Sequence, residues 1–149
     1  MITPLDENSS VTGDVIELRI PSSPAYVTVA RQTVEGVTRR MPFARAEVED
    51  VKLAVGEACN NAIKHGANGA KSAPVIIRCI VNHSSLEIEV HNYHTANAPR
   101  PDIDSAPDHS REGGLGFHMM RHLVDRFEFV WGEDFALVRL VKTFREADG

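Results

Sequence analysis

Apolar and polar residues alternate over residues 14–20, the two-residue period of a strand buried on one face. The period then lengthens. Ser22-Ser23-Pro24 offers an N-cap with proline at the first helical position. Val27, Ala30, Val34, Val37 and Met41 recur every three or four residues, which predicts a helix running to about Arg40. Gly36 weakens that helix slightly, and Pro42 separates it from the next element. Val48, Val51, Val55, Ala58, Cys59, Ala62 and Ile63 form one apolar stripe, so a second helix is expected over about residues 44–65, ended by Gly66 as a C′ residue.

Two strands are predicted next, residues 75–82 and 86–92, joined by a tight turn near His83-Ser84. In the second, Leu86, Ile88 and Val90 alternate with Glu87, Glu89 and His91. Residues 94–113 lose all periodicity and hold Pro99, Pro101, Pro107 and Gly113-Gly114; such a long loop inside a compact domain is often functional, for example as a lid. A short helix over residues 116–125 places Phe117, Met120, Leu123 and Val124 on one side. Strands 127–131 and 135–142 close the chain as a hairpin around Gly132-Glu133-Asp134. The order β-α-α-β-β-loop-α-β-β predicts an α+β fold: a two-layer α/β sandwich, its mixed, mostly antiparallel sheet carrying the helices on one face. Residues 1–13 read as a flexible N-terminal arm and 14–149 as a single domain.

Composition narrows the classes. With 149 residues, 42% hydrophobic and 25% charged, the chain suits one globular domain with a real core. The net charge of −5 argues against nucleic acid as a main partner. No apolar run is long enough to span a membrane, and the first residues lack the apolar core of a signal peptide, so the expectation is no membrane partner and a cytoplasmic location. Cys59 and Cys79 lie in apolar periodic segments and read as buried thiols.

Two short motifs carry candidate chemistry. Glu57 and Asn61 lie four apart on the long helix and project from one face. A carboxylate accepts a hydroxyl proton, and an amide oxygen is a hard ligand suited to Mg²⁺; the same spacing also fits a plain solvated helix face. Gly113-Gly114-Leu115-Gly116-Phe117 opens a helix, where glycines let the backbone approach a phosphate, and Arg111 just before it is placed to pair with one. His65 also fits as a cationic helix C-terminal residue. The histidines between His83 and His122 show no recognised ligand spacing, and Met119, Met120 and Trp131 read as core or interface residues.

Taken in order, the two motifs change the picture. Glu57-x-x-x-Asn61-Ala62 with His65-Gly66, a long loop, then Gly114-Leu115-Gly116-Phe117 with Met120-Arg121 and Asp125 resembles the anti-sigma-factor serine kinases, small members of the GHKL (histidine-kinase-like, Bergerat-fold) ATPase superfamily. The resemblance covers nearly the whole chain from about Asp14. It implies an ATP·Mg²⁺ site under a lid over residues 95–113. It also implies a kinase that phosphorylates a serine on a small anti-sigma-factor antagonist protein and holds a sigma factor inactive, commonly as a homodimer. Carried over, Glu57 is the catalytic base and Asn61 the Mg²⁺ ligand. Lys64, His65, Asn92, Arg111, Gly113, Gly114, Leu115, Gly116 and Phe117 join Asn61 in contacting the nucleotide.

The chain departs from that family where the base is read. Relatives carry Asp-x-Gly-x-Gly after the second hairpin strand; here the stretch is Asn92-Tyr93-His94-Thr95-Ala96, and Phe135-Ala136 replaces a Gly-Thr pair in the last strand. Asn92 can still accept from an adenine amino group and donate to a ring nitrogen, but without a charge-assisted bond. The alternative function is a non-catalytic partner-binding module with a degenerate nucleotide site that sequesters a sigma factor or scaffold protein. A detached histidine-kinase ATPase domain ranks lower, since the chain has no helix pair bearing a phosphoacceptor histidine.

Overall fold

The structure, a computed structural model, describes residues 13–66, 73–103 and 114–144. The expected N-terminal arm therefore lies outside the described residues except for Gly13, as do residues 104–113 of the expected lid, including Arg111 and Gly113. Five strands and three helices run in the order β1 (Val15–Ile20), α1 (Val27–Thr38), α2 (Arg45–Gly66), β2 (Val75–Val81), β3 (Ser85–Tyr93), α3 (Gly114–Leu123), β4 (Arg126–Trp131) and β5 (Phe135–Thr143). The strands form one sheet in the order β1-β2-β3-β5-β4, antiparallel at every pairing. This is the expected α+β fold, with the sheet wholly antiparallel.

Register explains why all three helices pack on one side. Ile16, Leu18 and Ile20 stand opposite Cys79, Ile77 and Val75. Cys79 and Ile77 pair with Ile88 and Val90. Those two pair with Leu140 and Val138, which face Phe127 and Phe129. Because side chains alternate along each strand, these rows share one face. They join Val34, Val51, Val55, Ala58, Cys59, Phe117 and Met120 in a single core. Each fully buried aliphatic side chain of this kind contributes about 1.5–3 kcal/mol.

The opposite face carries charge. Arg139 bridges Glu87 at 2.9 Å, Glu89 at 3.0 Å and Glu128 at 2.9 Å, and Arg78 pairs with Glu17 at 3.2 Å. Burial pushes the Glu89 carboxyl up, but hydrogen bonds from His91 and Arg139 outweigh it and hold the group below its ordinary value.

Several element ends differ from expectation for local reasons. Ser23 makes no side-chain cap bond; Pro24–Tyr26 form a 3₁₀ turn, with Tyr26 N donating to Ser23 O at 3.1 Å, and α1 begins only at Val27. At the start of α2, Ala44 offers no cap, and Glu47 reaches back instead to accept from Ala44 N at 2.8 Å, half of a capping box. The last helix starts two residues early, at Gly114, so the glycine segment itself forms its first turn. It stops at Leu123 because Asp125 leaves the helix to accept from Thr143 N at 2.7 Å and Thr143 Oγ1 at 3.0 Å.

Both cysteines are free and buried. Burial pushes each thiol up to about 12, against a smaller downward pull from Arg31 on Cys59. In the native protein at pH 8, Ellman's reagent is expected to leave both thiols unmodified, and both should react once urea unfolds the chain. Fast labelling of either thiol in the folded state contradicts this packing.

Candidate functional site

Helix α2 crosses the centre of the sheet and presents Glu57 and Asn61 toward the first turn of α3. The contact is this close because Gly116 carries no side chain. A methyl placed on Gly116 would lie 2.8 Å from Asn61 Nδ2 and 3.2 Å from Glu57 Oε2. The acid, the amide and the glycine segment, separated by some 55 residues of sequence, therefore converge. Asn61 is buried, and its Nδ2 is one of two buried side-chain atoms without a hydrogen-bond partner among the described residues. A buried polar atom left alone costs about 1–3 kcal/mol, so this contact carries a polar group in want of a partner. The two ends of an amide are assigned from their surroundings, so Asn61 can present either its oxygen or its nitrogen there.

The frame around this contact is closely packed. Phe117 is buried and packs edge-on against Phe127 at 6.2 Å and Phe129 at 5.3 Å, pinning α3 to β4. Lys142 Nζ donates to Leu123 O at 2.9 Å, a cation on the carbonyl end of α3 where the helix dipole favours it. The opposite end of α3 brings a helix N-terminus beside Glu57 and Asn61. Gly114 and Leu115 belong to that turn through their backbones.

The far end of the candidate site is tighter. Asn92 is buried at the end of β3, paired with Ala136 of β5. A methyl on Gly66, the last residue of α2, would meet Tyr93 O at 3.1 Å and Asn92 Nδ2 at 3.6 Å. Lys64 is exposed in the last turn of α2. His65 beside it is half-buried and titrates below its ordinary value, first through burial and then through the positive charges of Lys64 and His94. Thus Asn92, His65 and Gly66 gather at the C-terminal end of α2, while Glu57, Asn61, Gly116 and Phe117 gather one to three turns earlier. Arg111 and Gly113 lie outside the described residues.

Sequence reading missed two features. His94 is buried and stacks flat on Trp131, with ring centroids 3.7 Å apart and planes 7° apart. Its ring nitrogens lie 2.7 Å from Thr95 O and 2.9 Å from Phe135 O. His94 occupies the position where the resembled family carries a glycine, a departure the sequence showed; what it did not show is that the ring stacks on Trp131. The second is Arg31 of α1, whose guanidinium lies against Gly56, one residue before Glu57, with its buried Nε unpartnered among the described residues. Only a helix–helix contact brings these two together.

Comparison with known proteins bears on this geometry. The model of the histidine kinase-like ATPase domain family matches residues 20–142. The serine-protein kinase RsbW of Bacillus pumilus is 37% identical over 127 residues, covering 78% of each chain. The RsbW of Bacillus subtilis is 37% identical over 120 residues, covering 75% of each. The crystal structure of the RsbU and RsbW domains of Rv1364c from Mycobacterium tuberculosis superposes with a TM-score of 0.66 at 13% identity. It covers 87% of this chain and 32% of that one, a likeness of fold.

The Gly116 contact predicts a separation of stability from binding. Both groups a new methyl meets are ends of movable side chains, and alanine favours a helix by about 1 kcal/mol over glycine. Gly116→Ala should leave the urea midpoint unchanged or slightly raised, yet weaken ATP·Mg²⁺ binding at least about tenfold by displacing Asn61 and Glu57. Unaltered nucleotide affinity contradicts a site at this contact.

Proposed function

The chain belongs to the histidine kinase-like ATPase domain family, and on that premise we propose that it is an anti-sigma-factor serine kinase. In this reading it binds ATP·Mg²⁺ between α2 and α3 and phosphorylates a serine on a small antagonist protein. It exchanges that antagonist for a sigma factor according to the phosphorylation state of the antagonist. The likeness to RsbW serine-protein kinases supports the activity. The observation that carries the reading is the convergence of Glu57, Asn61 and Gly116, with a buried amide atom left without a partner. The reading extends by resemblance to a homodimer working in the cytoplasm; no helix among the described residues is long and apolar enough to cross a membrane.

The residues fit a nucleotide and its metal. Asn61 would hold Mg²⁺, which neutralises charge on the phosphate oxygens when bound. Glu57 stands at the mouth of the same contact, half-buried on α2, and takes the proton of the attacking serine hydroxyl. The N–H groups at the start of α3 hold the phosphates in place, an arrangement that needs Gly116 to let the helix approach. Asn92 at the end of β3 reads the base. The aromatic contacts of Phe117 keep α3 in register with α2, so the acid and the phosphate-binding turn stay aligned.

One observation favours a second reading, a partner-binding module without kinase activity. His94 fills a position expected to be glycine and is buried against Trp131 close to Asn92. Calorimetry separates the two readings: saturable ATP·Mg²⁺ binding with label transfer to the cognate antagonist supports the kinase, and an empty titration supports the module.

Two substitutions test the roles. Glu57→Gln should retain ATP affinity within about threefold while phosphoryl transfer falls by about 10²-fold or more; transfer at the wild-type rate removes Glu57 as the base. Asn92→Asp should tighten ATP binding by up to about tenfold, because a charge-assisted bond to the adenine amino group replaces a neutral one. Unchanged affinity in calorimetry would place the base elsewhere.

A further inference from the structure

The outward face of α3 carries a pair of histidines that the phosphate-site reading does not use. His118 and His122 lie four residues apart, one helical turn, and their Nε2 atoms approach to 3.1 Å. The rings stand at 72° with centroids 4.5 Å apart. His122 is exposed and His118 is partly so, whereas Gly116, Phe117 and Met120 on the other side of the helix are buried. Among the described residues neither ring has another hydrogen-bond partner. Two Nε2 atoms at this separation share one proton, the ring that carries it donating to the lone pair of the other.

That separation is also the bite of a chelate. With metal–nitrogen bonds of about 2.05 Å, two nitrogens 3.1 Å apart subtend an angle of about 98° at the metal. This falls between the right angle of octahedral or square-planar coordination and the wider tetrahedral angle. We propose that His118 and His122 form a bidentate surface site for a borderline divalent metal ion such as Zn²⁺ or Ni²⁺. Imidazole nitrogen suits these ions, whereas Mg²⁺ takes oxygen ligands, so the site is chemically distinct from one built on Asn61. On binding, the ring protonated at Nε2 shifts that proton to Nδ1, both Nε2 lone pairs go to the metal, and nothing is oxidised or reduced. No third His, Cys, Asp or Glu joins the pair among the described residues, so water completes the coordination. The metal bridges one turn of the helix whose opposite side carries Gly116, and therefore braces the element that lines the candidate phosphate site.

The test is titration of the tag-free full chain with ZnCl₂ and NiCl₂ in excess Mg²⁺, followed by calorimetry and by melting temperature. The expected result is one site per chain with a Kd on the order of micromolar and a rise in melting temperature on metal addition. His118→Ala and His122→Ala, both at accessible helix positions where alanine is well tolerated, should each weaken binding at least about tenfold and abolish the thermal shift. The control His83→Ala, in the β2–β3 turn, should bind as the wild type does. Absence of saturable binding, or unchanged affinity in both single variants, overturns the proposal.

Discussion

The constraint on which the site depends is a steric one: α3 meets α2 at a point where a Cβ fits only if Asn61 and Glu57 move aside. Gly116 sits so close to Asn61 and Glu57 that even a methyl would press on both. Everything around that point is arranged to keep the two helices in place. Phe117 is wedged among the aromatic rings of β4. Lys142 and Asp125 tie the exit of α3 to β5. Helix α2 buries one face at positions spread from Val48 to Gly66, which holds it against the sheet. A close approach held by a closely packed frame leaves its polar groups pre-positioned, which is the condition for both binding and proton transfer.

The distribution of satisfied and unsatisfied polar groups sorts structure from function. Buried charges on the far face of the sheet are paired: Glu89 with Arg139 and His91, Arg78 with Glu17. His94 is buried too, and a backbone carbonyl stands ready to accept its ring N–H at either nitrogen. Asn61 breaks that pattern, buried with an amide end left over. Arg31 Nε is the other such atom among the described residues, but it lies against Gly56, whereas the Asn61 amide sits beside a carboxylate and a helix N-terminus.

The two ends of α2 differ in character. Toward its middle, the contact with α3 is polar and spare of side chains. At its C-terminal end, Asn92, His65, His94 and Trp131 crowd together, aromatic and closely packed.

Much of this was legible in the chain. The period-two and period-3.6 patterns placed the five strands and three helices of the described residues, since each element buries a face and the face repeats with the backbone geometry. The i, i+4 spacing put Glu57 and Asn61 on one side of α2, because helix pitch is a local property. The matching order of the two motifs pointed to the family that the comparisons bear out. Element ends were less legible: Ser23 did not cap, and α3 began at Gly114, because caps depend on which neighbours compete for the same N–H. What only the tertiary structure decided is which distant groups meet. Gly116 against Asn61, Arg31 across Gly56, and His94 on Trp131 are set by register across the sheet and by helix packing, and side-chain periodicity along one element carries no information about the element it will touch.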